Sequence, residues 1–296
     1  MHKLSTFWQF CRPHTIIGSL ISVVTLYLLT IQHVTPVGQY SYLLLLTIIA
    51  SIACNIAIVG LNQIIDVPLD VINKPNLPLA AGTMQRGTAV IIVSICAAVA
   101  IVVGFVASSY LGWLIVIIGI IGYLYSAPPV RLKQHHLPAA LCITVVRGLL
   151  VNIGMYVHFR HCVYGTAIMQ PLPSYLWSLI LFVVAFSIAI AWFKDLPDTA
   201  GDEQYNIKTF ALLYNKKIAL LSGTAIVAAA YSYCIYWAYS NDVTFLFIAH
   251  CILLVLFIGN CATIKLNLPS SITRFYMRFW VLFFAEYIVY AVWALL

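Results

Sequence analysis

The segment TAVIIVSICAAVAIVVGFVA at residues 88–107 is followed by YLGWLIVIIGIIGYLYS at residues 110–126, and neither contains a charged side chain. Each has close to the length of about 20 apolar residues that crosses a bilayer as a helix. Inside lipid, every backbone N–H and C=O must be bonded within the protein, so only helices or a closed barrel can span it. Because these runs are continuous rather than alternating, they predict helices.

The rest of the chain has the same character. Of its 296 residues, 63% are hydrophobic and 8% are charged, whereas about a quarter of the residues in a soluble domain are charged. We therefore expect an all-α, polytopic membrane protein, with one membrane-embedded domain over residues 1–296. Its nine candidate spans, bounded by charged residues, Pro and Gly, are 14–32, 40–61, 88–107, 110–126, 137–158, 174–193, 217–239, 243–264 and 276–296.

Basic residues divide unequally between the two ends of these spans. With nine spans, the termini lie on opposite sides of the membrane. If the N-terminus is cytoplasmic, the other side keeps only Arg160. The cytoplasmic side then receives Lys3, Arg12, Lys74, Arg86, Arg131, Lys133, Lys194, Lys208, Lys216, Lys217, Lys265, Arg274 and Arg278. The positive-inside rule thus predicts a cytoplasmic N-terminus and a C-terminus on the opposite side.

Several other functions find no support in the composition. We interpret the net charge of +7 as a signal of membrane topology. The sequence has no array of basic residues interleaved with aromatic residues that would indicate a nucleic-acid partner. The eight cysteines form no CxxC pair, and we interpret them as small buried apolar residues. Residues 1–13 resemble an interfacial amphipathic lead-in rather than a cleaved signal peptide, so we expect the first span to be retained.

Acidic residues are scarce, and their positions are informative. Of the eight, only Asp242 and Glu286 lie outside two short clusters. The clusters follow the second and sixth spans, where long apolar runs give way to cytoplasmic loops. Both clusters are therefore expected on the cytoplasmic side of the membrane, where they can face one another.

The spacing within each cluster places its polar residues in a row. Asn62, Asp66 and Asp70 stand at positions i, i+4 and i+8, which share one face of a helix. The second cluster contains Glu203 and a row with i, i+3 and i+7 spacing, which consists of Asp195, Asp198 and Asp202. Like charges arranged in this way repel unless a cation lies between them.

Mg²⁺ suits such a pair of rows. This ion is usually held by a few carboxylates together with substrate phosphates, so two rows across a cavity can bridge a diphosphate through metal. No His or Cys set at zinc spacing accompanies them. An alternative is that these acids are only solvated helix ends. Pro68 and Pro197 fit either interpretation, because proline can loosen a helix at a water-filled mouth or simply end it.

These residues resemble a known family, the UbiA-type intramembrane aromatic prenyltransferases. Its two Asp-rich motifs look like Asn62-x-x-x-Asp66-x-x-x-Asp70 and Asp195-x-x-Asp198-x-x-x-Asp202. From about residue 12 to about residue 215 the chain is also similar to the homogentisate branch, the phytyl- and solanesyltransferases of tocopherol and plastoquinone synthesis. The stretches that carry this likeness are RPHTIIG at 12–18, NKP at 73–75, LPLAAG at 77–82, YSAPP at 125–129, ALCI at 140–143 and VRGLLVN at 146–152.

The resemblance implies nine helices around a central cavity and Mg²⁺ that joins both motifs to the diphosphate of an isoprenoid donor. It implies a small aromatic acceptor, which in this branch is homogentisate and loses CO₂ during prenylation. The predicted catalytic and metal-binding residues are Asn62, Asp66, Asp70, Asp195, Asp198 and Asp202.

Neighbouring cations are candidates for direct contact with the diphosphate, because they can neutralise the charge that develops on it. We assign this role to Lys74 and Lys194, and next to Arg131 and Lys133. Each of these four residues could instead serve only to orient the protein, as a basic residue on the cytoplasmic side. By the resemblance, Tyr125 and Ser126 are expected near the substrate; a tyrosine at this depth is otherwise an interfacial aromatic residue.

Arg147 is the one basic residue well inside an apolar run. A buried cation is costly in lipid unless it is paired or faces a wet cavity. Our hypothesis is that Arg147, together with Asn152, contacts the acceptor carboxylate or supports an Asp-rich motif. The alternative is a structural hydrogen bond to another helix.

Two further alternatives remain open from the sequence. The same chemistry could use another acceptor, such as 4-hydroxybenzoate, a dihydroxynaphthoate or a chlorophyllide. A cation-coupled transporter could also place acids within the membrane, although its site is expected near the midplane and these acids lie at one face.

Overall fold

The computed structural model describes residues 2–32, 37–165, 170–205 and 207–296. Met1, at the start of the predicted lead-in, lies outside them. Within the described ranges the chain folds into the helices α1 (His2–Phe10), α2 (Pro13–Ile31), α3 (Ser41–Ile65), α4 (Val67–Asn73), α5 (Arg86–Ala107), α6 (Ser109–Ser126), α7 (His136–Ile143), α8 (Val151–Tyr164), α9 (Ser174–Phe193), α10 (Thr199–Gln204), α11 (Phe210–Tyr214), α12 (Lys216–Ser240), α13 (Thr244–Ala262) and α14 (Pro269–Trp293).

The nine predicted spans are confirmed. Among the described residues, nine helices are long and apolar enough to cross a membrane. They are Pro13–Ile31, Gly38–Ile65, Arg86–Ala107, Ser109–Ser126, His136–Tyr164, Ser174–Phe193, Lys216–Ser240, Thr244–Ala262 and Pro269–Trp293.

The ends of some spans differ from the prediction. The last helix begins at Pro269 instead of residue 276, because proline is well accommodated in the first turn of a helix. The fifth span continues past residue 158 to Tyr164, where Gly165 ends it in a left-handed conformation with φ of 64°. Glycine adopts this conformation without a steric penalty.

The fifth span contains a π-helical segment at Thr144–Leu150, between α7 and α8. Asn152 holds this segment, since its side-chain amide donates hydrogen bonds of 2.9 Å to the carbonyl oxygens of Arg147 and Gly148. A Cβ at Gly148 would lie 2.7 Å from a methyl group of Val184, so glycine permits the close approach of α9. Interruptions of this kind occur frequently at functional sites.

Helix α9 forms the centre of the bundle. In the apolar stretch of α9, 72% of the residues are buried inside the protein, whereas in that of α5 only 17% are buried. Phe186 of α9 stacks on Phe279 of α14 with ring centroids 3.9 Å apart. The Phe193 ring packs edge-on against the same Phe279 ring at 4.9 Å. This aromatic packing fixes α14 against the helix that carries the second Asp-rich motif.

The outer surface of the bundle is apolar. Exposed side chains on the peripheral helices include Ile91, Val102, Trp113 and Val255. Large exposed apolar surfaces are unfavourable in water and suit contact with lipid. The apolar outer surface is therefore suited to contact lipid, and the helices pack around α9 inside the bundle.

Candidate active site

The first Asp-rich motif lies where α3 ends and α4 begins. The helix breaks at Asp66, whose φ of −93° and ψ of 9° depart from helical values, and Pro68 stands in the first turn of α4. The backbone N–H of Asp66 nevertheless bonds to the carbonyl of Asn62 at 2.9 Å, and that of Asp70 to Asp66 at 2.8 Å. Asn62, Asp66 and Asp70 therefore keep helical spacing across the break.

The second motif follows α9. This helix ends at Phe193, and a turn that contains Asp195 and Asp198 leads to α10. Asp202 of α10 donates its backbone N–H to the carbonyl of Asp198 at 3.2 Å. All three carboxylates are buried, so this row faces the protein interior instead of solvent.

The two rows face one another across a polar cavity of about 230 Å³. The side-chain amide of Asn73 donates to Asp202 Oδ1 at 3.2 Å, and the ammonium of Lys74 pairs with Asp198. The two Asp-rich motifs thus lie at the same end of the bundle. All six predicted metal-binding residues line this cavity, namely Asn62, Asp66, Asp70, Asp195, Asp198 and Asp202.

The predicted cations are paired with these acids. Asp66 accepts a hydrogen bond from Arg131 Nη2 at 3.0 Å and pairs with Lys133. Lys194 lies 3.3 Å from Asp195 Oδ1 and donates to the hydroxyl of Tyr125 at 3.1 Å. Lys74, Lys133 and Lys194 also line the polar cavity, whereas Arg131 contacts Asp66 but is not part of the cavity lining.

Burial disfavours the charged form of some of these carboxylates. Burial, together with the neighbouring Asp195 and Asp198, raises the pKa of Asp202 to about 7. Burial also raises the pKa of Asp70, although Arg12 and Lys74 oppose that shift. A dication at this position would favour the ionised forms, since an opposite charge close to a carboxylate lowers its pKa.

The donor atoms of the cavity fit Mg²⁺. The lining residues offer carboxylate, amide, hydroxyl and ammonium groups, with no cysteine or histidine among those that the structure describes. Hard oxygen donors of this kind suit Mg²⁺ and do not select a soft metal.

Three polar residues of this cavity are not predicted as site residues from the sequence, namely Arg12, Asn73 and Thr209. For Arg12 the sequence indicates only a positive-inside residue and part of a family motif. Arg12 adopts a left-handed backbone with φ of 50°, immediately before α2. Two features of the sequence could have identified Arg12. It precedes a proline that starts a helix, and it is expected on the same side of the membrane as the Asp-rich motifs.

A second, apolar cavity of about 290 Å³ adjoins the polar one. Ile58, Val59 and Tyr125 line both cavities. Ser126, also predicted near the substrate, accepts a hydrogen bond from the Asn62 amide at 3.3 Å and lies on the polar side. Tyr125 therefore marks the junction between a charged compartment and an apolar one.

Arg147 lines the apolar cavity. Its guanidinium carbon lies 4.6 Å from the ring centroid of Trp280 and 5.6 Å from that of Phe283. Its Nη1 is buried without a hydrogen-bond partner, which leaves a donor for a bound molecule. Asn152, predicted beside it, lines neither cavity. Its side-chain Oδ1 accepts a hydrogen bond from the Tyr287 hydroxyl at 2.8 Å, and its side-chain Nδ2 bonds to the π-helical segment.

The sequence of this chain is similar to those of known enzymes. The chain is 40% identical to homogentisate phytyltransferase of Synechocystis sp., over 99% of this chain and 97% of that protein. It is 32% identical to homogentisate phytyltransferase 1 of Arabidopsis thaliana, over 97% of this chain and 75% of that one. Homogentisate solanesyltransferase of the same plant is 33% identical, over 96% of this chain and 75% of that protein.

Solved structures share the fold. A UbiA homolog from Aeropyrum pernix superposes with a TM-score of 0.70 at 18% identity and covers 94% of this chain and 96% of its own. A UbiA homolog from Archaeoglobus fulgidus, bound to GPP and Mg²⁺, gives a TM-score of 0.64 at 16% identity, over 98% of this chain and 99% of that chain.

Family membership decides against the transporter alternative, because the relatives are named as transferases. The match to the family covers residues 19–283, which include both Asp-rich motifs, seven complete spans and parts of the first and last spans described. The chain is a multi-pass membrane protein and belongs to the UbiA prenyltransferase family.

Proposed function

We propose that this enzyme transfers the prenyl group of an isoprenoid diphosphate to homogentisate with loss of CO₂, as a step of prenylquinone or tocopherol synthesis. The junction at Tyr125 supports this function, because there a polar cavity lined by two Asp rows meets an apolar cavity. A prenyl diphosphate has the same division between a charged head and an apolar chain. The names of the relatives supply the acceptor.

We assign metal binding to both rows. Asp66, Asp70 and Asn62 would hold Mg²⁺ from one side of the polar cavity, and Asp198 and Asp202 from the other. Asp195, paired with Lys194, is a ligand or orients the others. When bound, Mg²⁺ acts as a Lewis acid that stabilises charge on the diphosphate oxygens. A UbiA homolog with the same fold has been solved with GPP and Mg²⁺, which supports this choice of ion.

The three lysines of the polar cavity, with Arg131 beside it, act on the leaving group. In this proposal Lys74 and Lys194 exchange their carboxylate partners for phosphate oxygens when the donor binds. Arg131 and Lys133 stay close to Asp66 and add positive charge there. Charge on the diphosphate is greater in the transition state than in the ground state, so these contacts lower the barrier.

In the proposed reaction, the allylic C–O bond breaks and its electron pair leaves with pyrophosphate. An electron pair of the aromatic ring forms the new C–C bond, after which that ring carbon loses its proton. The acceptor carboxylate leaves as CO₂, and the side-chain carbon that keeps its electron pair takes up a proton. The apolar cavity excludes the water that would otherwise trap the allylic cation as an alcohol.

Arg147 is our candidate for recognition of the acceptor carboxylate. The free Nη1 donor is buried at the wall of the apolar cavity, and Trp280 and Phe283 hold the guanidinium plane. Asn152 would position it through the carbonyl oxygens of the π-helical segment.

We also propose that the polar cavity opens to the cytoplasm, because the basic loop residues gather at its end of the bundle. In intact cells, a protease added outside should remove an epitope tag fused after Leu296 but leave a tag fused before Met1. If the protease removes only the N-terminal tag, the proposed orientation is wrong and the C-terminus is cytoplasmic.

The proposed reaction is tested by product mass. Purified protein incubated with Mg²⁺, a prenyl diphosphate and homogentisate is expected to release pyrophosphate and form a prenylated product that lacks the carboxyl group. Parallel reactions with 4-hydroxybenzoate, a dihydroxynaphthoate and a chlorophyllide compare the other acceptors. A product from one of these and none from homogentisate would overturn the acceptor assignment while leaving the donor chemistry in place.

In the same assay, Asp66→Asn should lower pyrophosphate release by about 100-fold or more, since it removes a charge that binds the metal at the reacting diphosphate. Chelation of Mg²⁺ should have the same effect on the unmodified enzyme. The matched control is Asp242→Asn, which changes an acid in the loop after α12 that lies outside both cavities. Equal activity in the two variants would contradict the role of Asp66.

Arg147→Ala is expected to raise the KM for homogentisate by about 10- to 100-fold, because a hydrogen bond to a charged group contributes about 1.5–3 kcal/mol. The KM for the prenyl diphosphate should stay the same, and Arg147→Lys should restore part of the acceptor affinity. If both KM values are unchanged, or both rise together, Arg147 supports the fold and does not recognise the acceptor.

A further inference from the structure

Three buried side chains far from the Asp-rich motifs converge from the last three spans. Cys234 of α12, His250 of α13 and Glu286 of α14 each offer a ligand atom, and these atoms all lie within 4.8 Å of one another. All three residues are fully buried. His250 Nε2 and Glu286 Oε1 are 3.0 Å apart, which joins α13 to α14.

This cluster is separate from the polar cavity. Ser178, near the start of α9, donates to the sulfur of Cys234 at 3.5 Å. Asp195 follows Ser178 by 17 residues, just beyond the end of the same helix. At about 1.5 Å of rise per residue, the two sites lie roughly 25 Å apart along the bundle. The cluster thus belongs to the end of the protein opposite the candidate active site.

The hydrogen bonds of the cluster do not satisfy all its polar atoms. His250 Nδ1 and Glu286 Oε2 are both buried and have no hydrogen-bond partner among the described residues. Unpaired polar atoms within the hydrocarbon region are costly, and intramembrane ionisable residues are usually functional. A bound cation would supply the partner that Glu286 lacks.

We propose that Cys234, His250 and Glu286 bind one divalent transition-metal ion, with Zn²⁺ as the expected occupant. Thiolate, imidazole and carboxylate are the ligand types of zinc sites, whereas Mg²⁺ prefers oxygen donors throughout. A thiolate and a carboxylate carry two negative charges, so the complex with a dication is neutral and suits the low-dielectric interior. Binding releases the thiol proton of Cys234.

Such an ion would serve a structural purpose. It would connect α12, α13 and α14 at a point where the surrounding contacts are mainly apolar. Association between helices in lipid lacks a hydrophobic driving force, so a coordinated metal would fix their relative positions. The site is independent of prenyl transfer, and its failure would leave the proposed function intact.

The test is metal analysis of the purified full-length protein after dialysis against EDTA, which removes weakly held Mg²⁺. The unmodified protein is expected to retain zinc, or another divalent transition metal, at a metal-to-protein ratio near unity. Glu286→Gln, which keeps the side-chain shape, and Cys234→Ser should both lose this metal. The matched control is Cys261→Ser on α13, where a partly buried thiol accepts a hydrogen bond from Thr224; it should retain the metal.

A second measurement does not depend on the folding of any variant. Unmodified protein produced in zinc-depleted, cobalt-supplemented medium should show a near-ultraviolet charge-transfer band from cysteine thiolate to Co²⁺. Absence of stoichiometric transition metal from the unmodified protein, absence of this band, or equal metal content in the Cys234 and Cys261 variants would overturn the proposal.

Discussion

Electrostatic repulsion between two buried rows of carboxylates governs how the helices, loops and cations at this end of the bundle are arranged. Asp66 and Asp70 project from the end of one span, and Asp195, Asp198 and Asp202 follow the end of another. Lys74, Lys133 and Arg131 partly neutralise them within the chain. Cations between and around two rows held this close stabilise the ionised carboxylates, and a dication with a diphosphate fits that requirement.

The membrane bundle converts this charge cluster into a site for a two-part substrate. The aromatic packing of α9 against α14 fixes the helix that leads into the second row. Tyr125 lines both the polar and the apolar cavity, and its hydroxyl accepts a hydrogen bond from Lys194. The charged head and the apolar chain of a prenyl diphosphate are therefore matched by adjacent compartments, one polar at the bundle end and one apolar within it.

Much of this arrangement could be predicted from the sequence. Span positions follow from local hydrophobicity, and the Asp rows follow from helical spacing, which persists across the break at Asp66. Features that depend on contacts between distant segments could not be predicted. Arg12 reaches the polar cavity through a left-handed backbone, and the π-helical segment around Arg147 has no reliable sequence signature. Cys234, His250 and Glu286 meet from three helices without any short-range spacing pattern.

In our proposal both carboxylate rows hold the same diphosphate through metal. An experimental structure with Mg²⁺ and a prenyl thiolodiphosphate, whose bridging sulfur resists ionisation, would test this arrangement. We expect metal between the rows, with oxygen ligands from Asp66 or Asp70 on one side and from Asp198 or Asp202 on the other, at about 2.1 Å. A diphosphate bound elsewhere, or metal held by one row alone with the other row still paired to lysine, would contradict it.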